Sequence, residues 1–141
     1  MLDSLEVYFA GPVVTSDEVI WKWELANEIL KLRPGWNIYV PQEVSETDTK
    51  EIFDVLKKHL IYSDVVVAIL DGSDSDSGTC WEVGYAFAKE LDIIGVKTDF
   101  RTTGFMNLML KYSVDCMIEV DHKTTLKQLA EKIVAEIERK A

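Results

Sequence analysis

The run Asp64-Val65-Val66-Val67-Ala68-Ile69-Leu70 constrains the fold more than any other segment of this chain. A strand with one face in water alternates apolar and polar side chains. This run is apolar at every position after Asp64, so both of its faces must be covered. It therefore reads as the central parallel strand of a sheet packed between helices.

The remaining elements fit that frame. Leu5 to Ala10 reads as a first strand closed by Gly11-Pro12, and Thr15-Ser16-Asp17-Glu18 as a capping box opening a helix that runs to Arg33 and stops before Pro34-Gly35. Val19, Trp23, Ala26 and Leu30 are the expected buried stripe of that helix. Trp36 to Val40 predicts a second strand. Asp48 to about Ser63 predicts a second helix with Ile52, Val55, Leu56 and Leu60 on one face. A helix from about Thr79, a strand at Asp92 to Val96, a less regular connection from Thr98 to Tyr112 and a strand at Cys116 to Val120 follow. A terminal helix then buries Leu126, Leu129, Ile133, Val134 and Ile137. Alternating strands and helices predict an α/β fold: a five-stranded parallel sheet with helices on both faces, flavodoxin-like or Rossmann-like, as a single domain over residues 1–141.

In such sheets ligands bind beyond the carboxyl ends of the strands, which directs attention to the loop after Leu70. Asp71, Asp74, Asp76 and Glu82 crowd this handover from strand to helix. With a helix beginning near Thr79, Glu82 falls in its first turn, where the helix dipole would favour the carboxylate over the acid. Thr79-Cys80-Trp81-Glu82 also fits a capping box, in which the Glu82 side chain merely returns to the backbone. The aspartates, with Ser and Gly between them, are equally ordinary turn formers.

A net charge of −10 without a Lys/Arg cluster argues against a nucleic-acid polymer as partner and favours a small molecule. Cys80 and Cys116 lack metal-ligand spacing, and only His59 and His122 could join them, so neither a metal nor a cofactor is expected and both thiols read as reduced and buried. The start of the chain has no basic region before an apolar one, and no apolar run approaches the ~20 residues that cross a bilayer. A cytoplasmic protein without signal peptide or membrane partner is the expectation.

Several segments together resemble the nucleoside 2-deoxyribosyltransferase family. Val7-Tyr8-Phe9-Ala10-Gly11-Pro12 is similar to its first strand and turn, Val40-Pro41-Gln42-Glu43 to the end of its second strand, and Asp76-Ser77-Gly78-Thr79-Cys80-Trp81-Glu82-Val83-Gly84-Tyr85-Ala86 to its nucleophile motif. Thr98-Asp99-Phe100-Arg101 and Met106-Asn107-Leu108-Met109 extend the likeness. It implies transfer of a 2-deoxyribosyl group between nucleobases, with 2′-deoxynucleosides and free bases as small-molecule partners. Glu82 would be the nucleophile and Tyr8 the residue that orients it. Gly11, Asp76, Asn107 and Met109 would bind substrate, Asp76 at the sugar 5′-hydroxyl and Asn107 reaching that hydroxyl from a neighbouring subunit. A homo-oligomer, dimer or higher, follows from that role. The apolar Phe100, Phe105, Met106, Leu108 and Met109 are a candidate intersubunit surface.

One position departs from the family pattern. Eight residues ahead of Asp64, where the family commonly carries an acid that helps protonate the departing base, stands Leu56. Asp54 and His59 lie nearby but project at other angles from a helix. Either Asp71 or Asp76 takes over protonation, the helix is shifted, or the activity is altered. Leu56 thus keeps open a non-catalytic nucleoside-binding module. The nearest enzymatic alternative is a 2′-deoxynucleoside 5′-phosphate N-hydrolase, which the likeness associates with a serine where this chain has Asp76. A carboxylate there would repel a phosphate. A flavodoxin-like electron carrier would need a phosphate-cradling loop after the first strand, for which Pro12 lacks the N–H.

Overall fold

The computed structural model describes residues 3–72, 75–99 and 106–140. Its strands are β1 (Glu6–Ala10), β2 (Asn37–Tyr39), β3 (Val65–Ile69), β4 (Asp92–Lys97) and β5 (Cys116–Glu119), and its α-helices are α1 (Ser16–Leu32), α2 (Thr49–Ile61), α3 (Ser77–Ala88), α4 (Leu108–Lys111) and α5 (Leu126–Lys140). The strands form one parallel sheet in the order β2-β1-β3-β4-β5, with β3 at its centre. This is the doubly wound α/β architecture expected from the alternation of elements, and its switch point lies between β1 and β3.

The period of two along each strand divides the core. Val7 and Phe9 of β1, with Val65, Val67 and Ile69 of β3, face the layer of α1 and α5, which supplies Leu25, Ile29, Ile133 and Val134. Tyr8 and Ala10, with Val66, Ala68 and Leu70, face the opposite layer of α2, α3 and α4. Every residue of β3 is buried, and each Val or Ile side chain so covered contributes roughly 1.5–3 kcal/mol relative to exposure. In β1, Val7 pairs with Val65 and Tyr8 with Val66. Sliding β1 by one residue would send Tyr8 to the wrong layer and Phe9 into its place.

Three expectations need correction. The buried face of α1 is Lys22, Leu25, Ala26 and Ile29, whereas Trp23 is exposed and Val19 and Leu30 are half-buried. Apolar residues lie around much of α1, so the stripe is chosen by where α5 and the sheet press against it. Helix α3 begins at Ser77, before Thr79: Asp76 is the N-cap and accepts from the Thr79 N–H at 3.1 Å. Thr79 is buried. Cys80 and Cys116 are not joined in a disulfide and are only half-buried.

Other local signals hold. The Thr15–Glu18 capping box opens α1, Asp48 caps α2, and Leu129, Ile133, Val134 and Ile137 are buried on α5, with Leu126 packed at the edge of the core. Asp74, Phe100, Arg101 and Phe105 lie outside the described residues. Among the described residues no helix is long and apolar enough to cross a membrane.

Candidate active site

Two helix faces and one turn enclose a cleft of about 290 Å³ at the carboxyl end of β1. From α2 come Phe53, Leu56, Lys57 and Leu60, spaced i, i+3, i+4 and i+7 on one side of the helix. From α3 come Gly78, Trp81 and Glu82, spaced i, i+3 and i+4, with the N-cap Asp76 beside them. Gly11 and Val13 of the β1–α1 turn close the third side. The approach at Gly11 is tight: a Cβ there would stand 3.2 Å from Ile69 and 3.3 Å from Lys22, so those side chains would have to give way slightly.

Glu82 sits in the second turn of α3, not the first, because the helix starts at Ser77. Its carboxylate is not returned to the backbone as a cap. It accepts a hydrogen bond at Oε2 from the Tyr8 hydroxyl, which rises from the sheet below. The expectation that the dipole would hold Glu82 ionised is also reversed: burial dominates and pushes its pKa up to about 7, against the lowering influences of Tyr8 and Lys22. The dipole is weak beyond the first turn, whereas desolvation acts on the whole carboxylate. Tyr8 is fully buried beside that charge, which holds its hydroxyl far above the ordinary phenol range and keeps it a hydrogen-bond donor.

Lys22 is the residue that sequence reasoning missed. It is 1% exposed and donates from Nζ to the Gly11 carbonyl at 3.1 Å. Burial lowers its pKa to about 8, while the charges of Glu82, Glu18 and Asp76 oppose that shift. A readable signal existed: Lys22 is in phase with Leu25, Ala26 and Ile29, and a lysine on a buried stripe requires a compensating environment. Phe53 and Trp81 also went unremarked. Their rings meet edge to face at 5.7 Å, and Trp81 stacks on Tyr85 at 5.2 Å, so the cleft has an aromatic wall.

Of the residues singled out in the sequence, Tyr8, Gly11, Asp76 and Glu82 come together here. Asn107 and Met109 do not. Asn107 caps α4, accepting from the Met109 N–H at 2.9 Å, and both residues line a separate hollow between α3 and α4 with Phe87 and Tyr112. Leu108, Met109 and Tyr112 are exposed there, while Met106 packs on the core. Leu56 stands in the cleft wall without a nearby substitute on its helix: Asp54 pairs with Lys50 at 2.5 Å, and His59 stacks on Tyr39 at 3.7 Å. Asp71 is occupied in joining β3 to the end of β4, accepting from the Thr98 and Asp99 backbone N–H groups. Among the described residues, Asp76 is therefore the aspartate that shares the cleft with Glu82.

A half-buried carboxylate held by a phenol in a cleft beyond the sheet is able to act chemically as a nucleophile or a base. The family model for nucleoside 2-deoxyribosyltransferase matches residues 7–131. The chain belongs to the nucleoside 2-deoxyribosyltransferase family. This deoxyribosyltransferase-family chain also shares its fold with solved structures. A conserved protein from Enterococcus faecalis V583 superposes with a TM-score of 0.80 at 23% identity, over 98% of this chain and 99% of that one. A 2-desoxiribosyltransferase from Leishmania mexicana gives 0.70 at 19% identity, covering 94% and 96%. A CMP N-glycosidase from Clostridium botulinum gives 0.64 at 15% identity, covering 92% and 98%. No curated protein sequence matches the chain.

Proposed function

We propose that this chain, working as one domain, transfers a 2-deoxyribosyl group between nucleobases, with Glu82 as the nucleophile. The observation that carries the reading is the Tyr8–Glu82 hydrogen bond at the base of an aromatic-walled cleft. One carboxylate oxygen is held by the phenol, which orients the other towards the cleft. That oxygen attacks the anomeric carbon of a bound 2′-deoxynucleoside, the bond from carbon to base nitrogen breaks, and its electron pair leaves with the base. The product is a glycosyl ester of Glu82. A second base displaces the carboxylate from the opposite side, and two inversions give net retention.

Asp76 accepts the sugar 5′-hydroxyl, and Gly11 allows the backbone to approach the substrate. Asn107 and Met109, which line a separate hollow and not the cleft of their own chain, serve the site of a neighbouring subunit in a dimer or larger assembly. Water in place of the second base would make the same intermediate a hydrolytic one. The carboxylate of Asp76 favours an unphosphorylated 5′-end. The deciding experiment is incubation with several 2′-deoxynucleosides, with and without a second base, followed by product separation and mass spectrometry of the protein. Exchange products and a glycosyl adduct on Glu82 are expected. Base release that no acceptor base can divert would mean hydrolysis, and no release from any nucleoside would leave a binding module.

A further inference from the structure

We infer that Lys57 reads the departing nucleobase and selects bases bearing a ring carbonyl, 2-oxopyrimidines and 6-oxopurines, over adenine. The inference rests on the glycosyl-transfer reading above and assigns its substrate class. The cleft has chemically distinct ends. Asp76 and Glu82 form an acidic end on α3, while α2 contributes Phe53, Leu56 and Lys57 opposite them. A sugar held over the carboxylates directs its base towards the flat, apolar surfaces of Phe53 and Trp81, the part of the cleft suited to a planar ring.

At the edge of that surface the base meets Lys57. Among the described residues lining the cleft it is the one cationic side chain. Its Nζ lies 5.4 Å from the centre of the Phe53 ring, a cation–π contact that keeps the ammonium on the aromatic wall. Lys50 approaches the same ring at 5.5 Å, but its ammonium is engaged by Asp54. Among the described residues no carboxylate forms an ion pair with Lys57.

An ammonium has three donors and no acceptor. It complements a carbonyl oxygen and opposes an exocyclic amino group. When the glycosidic bond breaks, its electron pair enters the base. In uracil, thymine or hypoxanthine that charge spreads onto a ring carbonyl oxygen, where a fixed cation stabilises it as it develops. Adenine has no such oxygen. The base leaves as an anion paired with Lys57 and takes its proton from water, so no acid is needed at Leu56.

The test compares kcat/KM for base release from 2′-deoxyuridine, 2′-deoxyinosine and 2′-deoxyadenosine in the wild type, Lys57→Met and Lys57→Gln. In parallel, calorimetry measures uracil, hypoxanthine and adenine binding to Glu82→Ala with and without the Lys57 substitutions. The wild type is expected to favour oxo bases at least tenfold, and loss of Lys57 to cut that ratio at least tenfold in both measurements. An unchanged ratio, or a wild-type preference for 2′-deoxyadenosine, overturns the proposal. If no nucleoside is cleaved, the transfer reading fails, and the binding measurements still decide whether Lys57 selects oxo bases. Lys57→Gln, which keeps a donor but not the charge, guards against a folding defect peculiar to methionine and is expected to recover part of the binding ratio.

Discussion

The hydroxyl of Tyr8, on β1, donates to Oε2 of Glu82, on α3, across 74 positions of sequence. Both side chains depend on elements that also carry the core, so the contact is held by the packing of the sheet against α3. Tyr8→Phe removes the donor and leaves the ring's packing in place. The expected loss is about 10- to 100-fold in kcat, in line with roughly 1.5–3 kcal/mol for a hydrogen bond to a charged group. Steady-state kinetics with a good deoxynucleoside check it, and unaltered turnover would remove Tyr8 from the mechanism.

Glu82→Gln should abolish glycosyl transfer and alter stability with a defined sign. The folded-state pKa of about 7 exceeds the ordinary 4.5, so the native protein keeps a proton that the unfolded chain releases. Stability from this group is therefore full below about pH 4.5 and declines as pH rises towards 7. Glutamine avoids the cost. Its advantage over wild type should be absent at pH 4 and reach at most about 3 kcal/mol at pH 8, read by thermal unfolding at both values. An equal difference at the two pH values would contradict the burial-raised carboxyl.

Lys22→Met takes away a cation that favours the Glu82 carboxylate. Activity requires the ionised form, so the rate falls as pH drops through about 7 in the wild type. In the variant the acidic limb should move upward by roughly one pH unit, or about 1.4 kcal/mol. Lys22→Arg, which keeps the charge, should move it back. A pH–kcat profile resolves this. A uniform drop at every pH would mean that Lys22 acts only through the packing of the Gly11 turn.

Asp76 caps α3 as well as lining the cleft, and serine is an equally competent cap. Asp76→Ser should thus preserve stability while narrowing the preference for nucleosides over their 5′-monophosphates. Asp76→Ala should in addition cost about 1 kcal/mol in denaturant unfolding. Efficient hydrolysis of monophosphates by the wild type, with nucleosides untouched, would sink the assignment of an unphosphorylated substrate.

Asn107 lines a hollow other than its own chain's cleft, which makes assembly testable. An inactive Glu82→Ala protein mixed with an inactive Asn107→Ala protein should regain activity once subunits exchange, because one site in each mixed dimer is then intact. Leu108, Met109 and Tyr112, exposed beside Asn107, supply the surface for such contact. A monomer by sedimentation at assay concentration, fully active, would show that the site is complete within one chain.

Much of this molecule follows from patterns within a few residues of one another. The apolar run at β3 demanded two covered faces, Thr15–Glu18 and Asp48 supplied caps, and the spacing of Leu129, Ile133, Val134 and Ile137 marked the inner side of α5. Such features depend on local periodicity and on hydrogen bonds that close over three or four positions. What only the tertiary structure decided involves competition between partners far apart in sequence. The local pattern points to a start of α3 near Thr79, whereas in the fold Thr79 is buried against the core and Asp76 is the cap. Several stripes on α1 were apolar enough to be buried, and α5 and the sheet selected the one containing Lys22. The ionisation of Glu82 was misjudged for the same reason. Desolvation depends on everything packed around a carboxylate, and neither Tyr8 beneath it nor Lys22 behind Gly11 adjoins it in sequence.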